Sequence, residues 1–269
     1  MKKAVFFDID GTLLNTQEGF NQMSSSVKES IKELQKNDTL VFISSGRPYA
    51  FLNEDILNFG FDGYILMNGS LILLNDKLNP TVLKPFYKNN FEKEHLNYII
   101  SKFETYNIEY ILEDEKYSYL NPNFKNQKSF YEKLGISMKY IKDTFNINDI
   151  NVCKIEMYCP DKASSNFCKT LEDDNFRYTY FEEFNLFELY SRKDTKASGI
   201  LKIIDHFNID ISNTFAFGDS HNDIEMLNTV ACGIAMGNAS DEIKSHADKI
   251  TKSVSEDGVA YGIKNYILK

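Results

Sequence analysis

Buried strands and amphipathic helices alternate at both ends of this 269-residue chain, with a stretch of different character between them. VFFDID at residues 5–10 has the apolar run of a buried strand, and the segment at residues 27–34 has apolar residues at i, i+4 and i+7 of a helix. TLVFISSG at residues 39–46 is the next strand. Such alternation predicts a parallel sheet, because each helix carries the chain back to start the next strand.

The middle of the chain, from about residue 80 to residue 190, is rich in Tyr, Phe and Asn and mixes helical spacing with strand-like runs. After residue 191 the alternation of strands and helices resumes. The first segment lacks the strands that the last segment supplies. We therefore predict an α/β protein with one discontinuous core domain, residues 1–79 and 191–269, and an α+β domain inserted at residues 80–190.

Charge and composition argue against several classes of function. The chain has 30 Lys and Arg against 39 Asp and Glu, a net charge of -9, which disfavours a protein that coats nucleic acid or an anionic membrane. Asp8 interrupts the first apolar run far short of a signal-peptide core, and no later stretch reaches transmembrane length. We expect a cytoplasmic protein with no nucleic-acid or membrane partner and with buried free cysteines. The oligomeric state stays open.

Two carboxylates stand where the first predicted strand ends. If residues 4–9 are extended, the period of two sends Asp8 and Asp10 to the same side, and Gly11 turns the chain directly after them. Like charges at this spacing raise each other's pKa or need a cation between them. Two acids at the end of a central strand are a poor structural choice and a reasonable catalytic one.

Further polar residues follow the other predicted strands, and ligands of open α/β sheets bind beyond the carboxyl ends of strands. These residues are Ser45, Gly46, Asn68, Asp219, Asn222 and Asp223, together with Lys196 at the start of a helix. The i, i+4 spacing of Asp219 and Asp223 predicts that both carboxylates point toward one place. Several converging carboxylates need a hard cation, and oxygen ligands suit Mg²⁺. Ser45, Gly46 and Lys196 can form an anion cradle beside it.

These residues, in this order, resemble the haloacid dehalogenase superfamily of phosphohydrolases. DIDGT at residues 8–12 resembles its first motif, Ser45 its second, Lys196 its third and GDSHND at residues 218–223 its fourth. The resemblance spans both core segments, about half of the chain.

SGRP at residues 45–48 and MNG at residues 67–69 further resemble the Cof-type subfamily. That resemblance implies a Rossmann-like parallel-sheet core with a large α+β cap inserted between the second and third motifs. Two departures from the pattern, Ser45 where Thr is common and Ala197 where Gly is usual, remove no reactive group.

The resemblance also implies a role for each site residue. Asp8 would be the nucleophile that becomes an aspartyl-phosphate, and Asp10 would protonate the leaving alcohol and then activate water. Mg²⁺ would be held by Asp8, the backbone carbonyl of Asp10 and Asp219, with support from Asp223. The phosphoryl group would be bound by Ser45, Gly46, Lys196 and Asn222, and Arg47 and Asn68 are candidates for contacting the substrate.

The predicted function is a Mg²⁺-dependent phosphatase that acts on a small phosphorylated metabolite, a sugar phosphate or a phosphorylated cofactor. A phosphotransferase or phosphomutase on sugar phosphates would use the same residues, and it would yield an isomeric phosphoester instead of free phosphate. A non-catalytic phosphometabolite-binding protein is a third alternative, which the presence of every expected reactive group disfavours. The sequence does not name the substrate, because the residues that would contact it lie in loops of the insertion.

Overall fold

A computed structural model of the chain describes residues 2–76 and 82–268. The chain divides into two compact units. The first comprises Met1–Gly46, Asn53–Phe86 and Thr195–Lys269, and the second comprises Arg47–Leu52 and Tyr87–Asp194. The predicted boundary between residues 79 and 80 lies outside the described residues.

Two details of this division differ from the boundaries expected from the sequence. The short segment Arg47–Leu52 belongs to the second unit, because Phe51 lies in one buried apolar cluster with Tyr131. The second unit also continues past residue 190 to Asp194, whose carboxylate accepts hydrogen bonds from Tyr87 and Asn89 of the same unit, at 2.9 and 2.6 Å.

The first part of the first unit alternates strands and helices. Its elements are β1 (Lys3–Phe7), α1 (Ser25–Lys36), β2 (Thr39–Ser44), α2 (Glu54–Leu57), β3 (Gly63–Leu66) and β4 (Leu71–Asn75). After residues 77–81, β5 (Leu83–Lys88) begins in the first unit, and its last two residues are assigned to the second. The Ser24 hydroxyl caps α1 by accepting a hydrogen bond from the Val27 N–H at 3.1 Å. Val27, Ile31 and Leu34 are buried, which confirms the predicted helical spacing.

The second unit is built around a mainly antiparallel sheet. Its helices and strands are α3 (Lys93–Phe103), β6 (Glu109–Glu113), β7 (Ser118–Leu120), α4 (Lys125–Lys133), β8 (Ile141–Lys142), β9 (Lys154–Tyr158), α5 (Lys162–Lys169), β10 (Phe176–Phe181) and β11 (Leu186–Ser191). The strand order is β10-β11-β9-β6-β7-β8. Apolar residues of β6, β9 and β11 form a core with those of α3 and α5, so this unit is an α+β layer structure.

The last segment of the chain completes the sheet of the first unit. It contributes α6 (Lys196–Phe207), β12 (Thr214–Gly218), α7 (Ile224–Thr229), β13 (Cys232–Ala235), α8 (Asp241–Ser245), β14 (Lys249–Ile250) and α9 (Gly258–Gly262), followed by a π-helical turn at Ile263–Ile267. The strand order is β14-β13-β12-β1-β2-β3-β4-β5. Strands β14 to β3 in this order pair in parallel, and β3 and β4 pair antiparallel.

The central strand β1 pairs in parallel with β2 from the first segment and with β12 from the last, so the parallel sheet of the first unit takes strands from both ends of the chain. Phe6 stacks on Phe42 and Phe7 stacks on Phe217, with ring centroids 5.2 and 5.3 Å apart, across these two pairings. All four cysteines are free; three are buried, and Cys232 is half-buried. Within residues 2–76 and 82–268, no helix has both the length and the apolar character needed to cross a membrane.

Candidate active site

The first acidic residue of the site stands directly beyond β1. That strand ends at Phe7, two residues earlier than the sequence predicts, and the Asp8 N–H still donates to the carbonyl of Phe217 at 3.0 Å. Gly11 then turns the chain with a φ of 80°. A Cβ at Gly11 would lie 2.2 Å from Oδ2 of Asp219, so glycine allows this turn to approach the loop after β12.

Lys196 joins two of the predicted carboxylates. The residue is 1% exposed, and Nζ lies 2.6 Å from Oδ1 of Asp8 and 2.6 Å from Oδ1 of Asp223. Burial by itself would lower the pKa of Lys196, but the charges of Asp223 and Asp8 outweigh it and raise the pKa above the usual lysine range. The lysine is therefore a fixed cation between the first and fourth motifs.

Asp219 and Asp223 meet in a different way from the one predicted. Residues 221–223 form a 3₁₀ turn and α7 begins only at Ile224, so the two acids are not on successive turns of one α-helix. Instead, Oδ2 of Asp223 accepts hydrogen bonds from the backbone N–H groups of Asp219 and Ser220, each at 3.0 Å. A tight turn folded around the Asp223 carboxylate thus brings the two side chains together.

Three carboxylates gather around one ammonium group. Oxygen atoms of Asp8, Asp219 and Asp223 lie within 4.8 Å of one another. Burial raises the pKa of Asp8, against the opposing effect of Lys196, and burial raises the pKa of Asp219 to about 7. This excess of negative charge, carried by hard oxygen atoms, fits a divalent cation such as Mg²⁺.

Thr12 is a residue of the candidate site that sequence reasoning missed. It is buried, and its hydroxyl donates to Oδ1 of Asp219 at 2.8 Å, which orients that carboxylate. The only sequence feature that could have indicated Thr12 is its position as the last residue of DIDGT. Asp10 is half-buried, and its Oδ1 accepts a hydrogen bond from the Thr16 hydroxyl at 3.0 Å.

Three of the predicted anion-binding residues, Ser45, Gly46 and Asn222, lie together with Asn68 beside the ends of β2 and β3. Ser45 is buried, its N–H donates to the Ile65 carbonyl at 2.8 Å, and its own carbonyl accepts from the Asn68 N–H at 3.2 Å. Nδ2 of Asn222 donates to Oδ1 of Asn68 at 3.1 Å. A Cβ at Gly46 would lie 3.1 Å from that same Oδ1 and 3.5 Å from Nδ2 of Asn222. The ends of two strands and the fourth motif therefore meet here.

Arg47, a predicted substrate-contacting residue, belongs to a different compact unit from the other predicted site residues. It belongs to the second unit, where its guanidinium donates to the Phe51 carbonyl at 2.9 Å. Its proposed contact with substrate stays a prediction.

Comparison with known proteins identifies the family. A family profile described as haloacid dehalogenase-like hydrolase matches residues 5–263. The chain belongs to this family. Phosphatase YwpJ of Bacillus subtilis is 26% identical over 299 residues, covering 98% of this chain and 100% of the relative. The 5-amino-6-(5-phospho-D-ribitylamino)uracil phosphatase YitU of the same organism is 25% identical over 293 residues, covering 97% of this chain and 96% of the relative.

A solved structure extends the comparison to the fold of this haloacid dehalogenase-like hydrolase. A sugar phosphatase of haloacid dehalogenase subclass IIB superimposes with a TM-score of 0.79 and 28% identity, and the match covers 98% of both chains. The Rossmann-like core with an inserted cap is thereby confirmed. The chain is a phosphoric monoester hydrolase of the haloacid dehalogenase type, Cof-type subfamily.

Proposed function

We propose that this hydrolase is a Mg²⁺-dependent phosphatase that moves the phosphoryl group of a small metabolite first to Asp8 and then to water. The observation that carries the proposal is the buried contact of Lys196 with both Asp8 and Asp223, beside Asp219. A lysine fixed in this way holds the Asp8 carboxylate in one orientation. An oriented carboxylate beside anion-binding groups suits nucleophilic attack on phosphorus.

The donor set assigns the residues that would hold the metal ion. The side chains of Asp8 and Asp219 and the backbone carbonyl of Asp10 would be its ligands. Both oxygens of Asp223 are already used, Oδ1 by Lys196 and Oδ2 by two backbone N–H groups, so we assign Asp223 an organising role beyond the ligands. When bound, Mg²⁺ would offset the carboxylate charge that otherwise repels a phosphate dianion.

The chain's own residues account for the proton and bond changes. An Asp8 oxygen forms a bond to phosphorus, the ester P–O bond breaks, and Asp10 gives its proton to the departing alcohol oxygen. Asp10 then takes a proton from water, whose oxygen attacks phosphorus and releases Asp8 and inorganic phosphate. Lys196 and the Asn222 amide would bind the phosphoryl oxygens, together with Ser45 and Gly46. The Thr16 hydroxyl would keep Asp10 in place.

The comparisons support a substrate class. One relative is named for a phosphoribitylamino compound and one structural neighbour for sugar phosphates, and both names describe a phosphate ester on a sugar or sugar-alcohol chain. We propose a substrate of this class for the present chain. We also propose that the inserted domain supplies the contacts that select it, because the residues of the core site are assigned to the phosphoryl group and the metal.

A leaving-group experiment tests the roles of the two first-motif acids. The phenolate of p-nitrophenyl phosphate leaves with little protonation, so Asp10→Asn should still permit attack by Asp8. Hydrolysis of the phosphoenzyme needs a base that the amide cannot supply, and loss of a general base commonly slows a step about 10²- to 10⁴-fold. Intact-mass spectrometry of Asp10→Asn should therefore show one added phosphoryl group, absent from Asp8→Asn.

Two results would contradict the proposal. One is a phosphoryl group that maps to a residue other than Asp8. The other is full turnover by the parent enzyme after EDTA treatment, since Mg²⁺ is required to offset the carboxylate charge. Mg²⁺ should restore the activity of EDTA-treated enzyme. Ca²⁺ should bind and inhibit, because its looser, higher coordination allows a carboxylate to chelate it through both oxygens.

A further inference from the structure

Three successive residues after β3 have a left-handed backbone. The φ angles of Met67, Asn68 and Gly69 are 50°, 53° and 102°. Glycine adopts this conformation freely and asparagine tolerates it, but methionine rarely does, and Met67 is fully buried. Backbone strain of this kind persists where the surrounding contacts require it. The contacts of this segment, here called the 67–69 loop, show what requires it.

The 67–69 loop touches three separate parts of the anion-binding site. The Asn68 N–H donates to the Ser45 carbonyl at 3.2 Å, and Oδ1 of Asn68 accepts from Nδ2 of Asn222 at 3.1 Å. A Cβ at Gly69 would lie 2.3 Å from the carbonyl oxygen of Thr195, the residue before Lys196. The loop therefore packs between the second, third and fourth motifs.

The contact between Asn68 and Asn222 fixes the direction of a hydrogen-bond donor. The Asn222 amide is held at both ends, because the Ser220 hydroxyl donates to its Oδ1 at 2.6 Å while its Nδ2 donates to Asn68. A carboxamide nitrogen carries two hydrogens in one plane. Once one hydrogen points to Asn68, the direction of the second is set. Asn222 is otherwise exposed, so without these partners its side chain would populate several rotamers.

We propose that the 67–69 loop is a positioning element of the phosphoryl site, and that Asn68 acts through Asn222 and does not itself contact the substrate. Asn68 is 3% exposed, in keeping with a role between protein segments. This inference rests on the proposed phosphatase function, because the segments that the loop joins are the ones assigned to the phosphoryl group. It replaces direct substrate contact as the role of Asn68.

Two substitutions distinguish the contribution of the Asn68 backbone conformation from that of its side-chain carboxamide. Asn68→Gly permits the left-handed φ but lacks the amide, whereas Asn68→Ala lacks the amide and strains the backbone. We expect the glycine variant to melt within a few degrees of the parent. Its kcat/KM should nevertheless fall about 10- to 100-fold, as in the alanine variant, and the inhibition constant for inorganic phosphate should rise. A purely structural role would return the glycine variant to parental kinetics.

A double-mutant cycle tests whether Asn68 acts through Asn222. In an Asn222→Ala background, adding Asn68→Gly should change kcat/KM by less than about twofold, because the donor that Asn68 orients is already absent. If the loss of kcat/KM in the double variant instead equalled the product of the losses in the two single variants, the proposal would be wrong and Asn68 would contact the substrate itself. Failure of the unmodified protein to release phosphate from any phosphomonoester would instead contradict the proposed function, so the two failures are distinguishable.

A second pair of variants tests the contact with the segment before Lys196. Gly69→Ala places a methyl group against the Thr195 carbonyl, whereas Gly135→Ala also adds a methyl group at a positive φ, 68°, but with no atom within 4 Å. We expect Gly69→Ala to lower kcat/KM at least 10-fold and Gly135→Ala to leave it unchanged. Equal kinetics for the two variants would show that the loop does not position the third motif.

Discussion

At the scale of single residues, Lys196 shows that a buried cation in the candidate site depends on neighbouring carboxylates. A capping box between Thr195 and Ser198 starts α6 at Lys196, with the Thr195 hydroxyl accepting from the Ser198 N–H at 3.0 Å. A cation in the first helical turn opposes the helix dipole, and burial disfavours it further. The carboxylates of Asp8 and Asp223 offset both effects. The start of α6 can therefore place a buried ammonium group in the site only because Asp8 and Asp223, from two distant motifs, contact that group.

Thr12 provides a residue-scale prediction. Thr12→Val removes the hydroxyl that donates to Asp219 but keeps the shape of the side chain. We expect the Mg²⁺ concentration for half-maximal activity to rise about 10-fold or more, because groups that orient metal ligands commonly contribute that much to affinity. Thr12→Ser is the matched control, and it should keep an activation curve close to the parent's. A Mg²⁺ titration of phosphatase activity gives the answer, and identical curves for Val and Ser would contradict the assignment.

At the scale of elements, the sheet of the second unit carries a buried charged cluster on the face opposite its apolar core. Nζ of Lys154 lies 3.2 Å from Glu113 and 2.7 Å from Glu188, and the Tyr131 hydroxyl donates to Glu156. Cross-strand register places Glu113 opposite Lys154 and Glu156 opposite Glu188. Burial raises the pKa of Glu156 to about 7, against the opposing charge of Lys154. One buried ammonium therefore faces three carboxylates.

This cluster predicts a pH dependence of stability. Because the folded-state pKa of Glu156 lies above the usual value of 4.5, the folded state binds the proton more tightly than the unfolded state. The free energy of unfolding should fall as pH rises from about 4.5 to about 7, by at most on the order of 3 kcal/mol from this group. Burial also raises the pKa of Glu113, which adds an effect of the same sign.

Glu156→Gln tests this dependence, since the amide does not titrate. Urea unfolding at pH 5 and pH 8 should show a smaller difference in stability for this variant than for the parent. Glu132→Gln, an exposed substitution on α4 of the same unit, should keep the parental difference. If both variants kept it, Glu156 would not be the titrating group.

At the scale of the whole molecule, the chain leaves the first unit twice. It contributes the short segment Arg47–Leu52 to the second unit before it contributes Tyr87–Asp194. Phe51 of that segment is 8% exposed, and its ring centroid lies 5.0 Å from that of Tyr131. The second unit is therefore a two-part insertion, and removal of its long part uncovers an aromatic side chain on the short one.

An excision experiment tests the proposed division of labour between the units. A chain in which a short linker replaces Tyr87–Asp194 should discriminate less among phosphomonoesters while still cleaving p-nitrophenyl phosphate. Adding Phe51→Ser to this shortened chain should reduce its aggregation, because the substitution removes the uncovered aromatic group. Rates over a panel of phosphomonoesters provide the measurement. A folded, shortened chain that ranks the substrates as the parent does would show that specificity lies in the first unit.

Several features of this molecule were predictable because they are local. Apolar runs that end in a turn mark the carboxyl ends of strands, and the position of Asp8, Ser45 and Asp219 just beyond such runs is read directly from the sequence. The helical spacing at Val27 and Ile31 is equally local. The same local reasoning predicted the parallel sheet, which the strand pairings confirm, and the acids of the candidate site, without knowledge of which residues each would contact.

Pairings across the chain were decided only by the tertiary structure. Asp8 and Lys196 are 188 residues apart, and Thr12 and Asp219 are 207 residues apart. Which of these side chains touch, and how deeply they are buried, depends on the packing of both core segments, so no local pattern contains it. The same reason explains why Asp219 and Asp223 meet through a tight turn and not through helical spacing. The Asp223 carboxylate binds Lys196 and two backbone N–H groups, and the surrounding fold sets the positions of these groups. Only in the folded protein do these contacts stabilise the carboxylate more than water does.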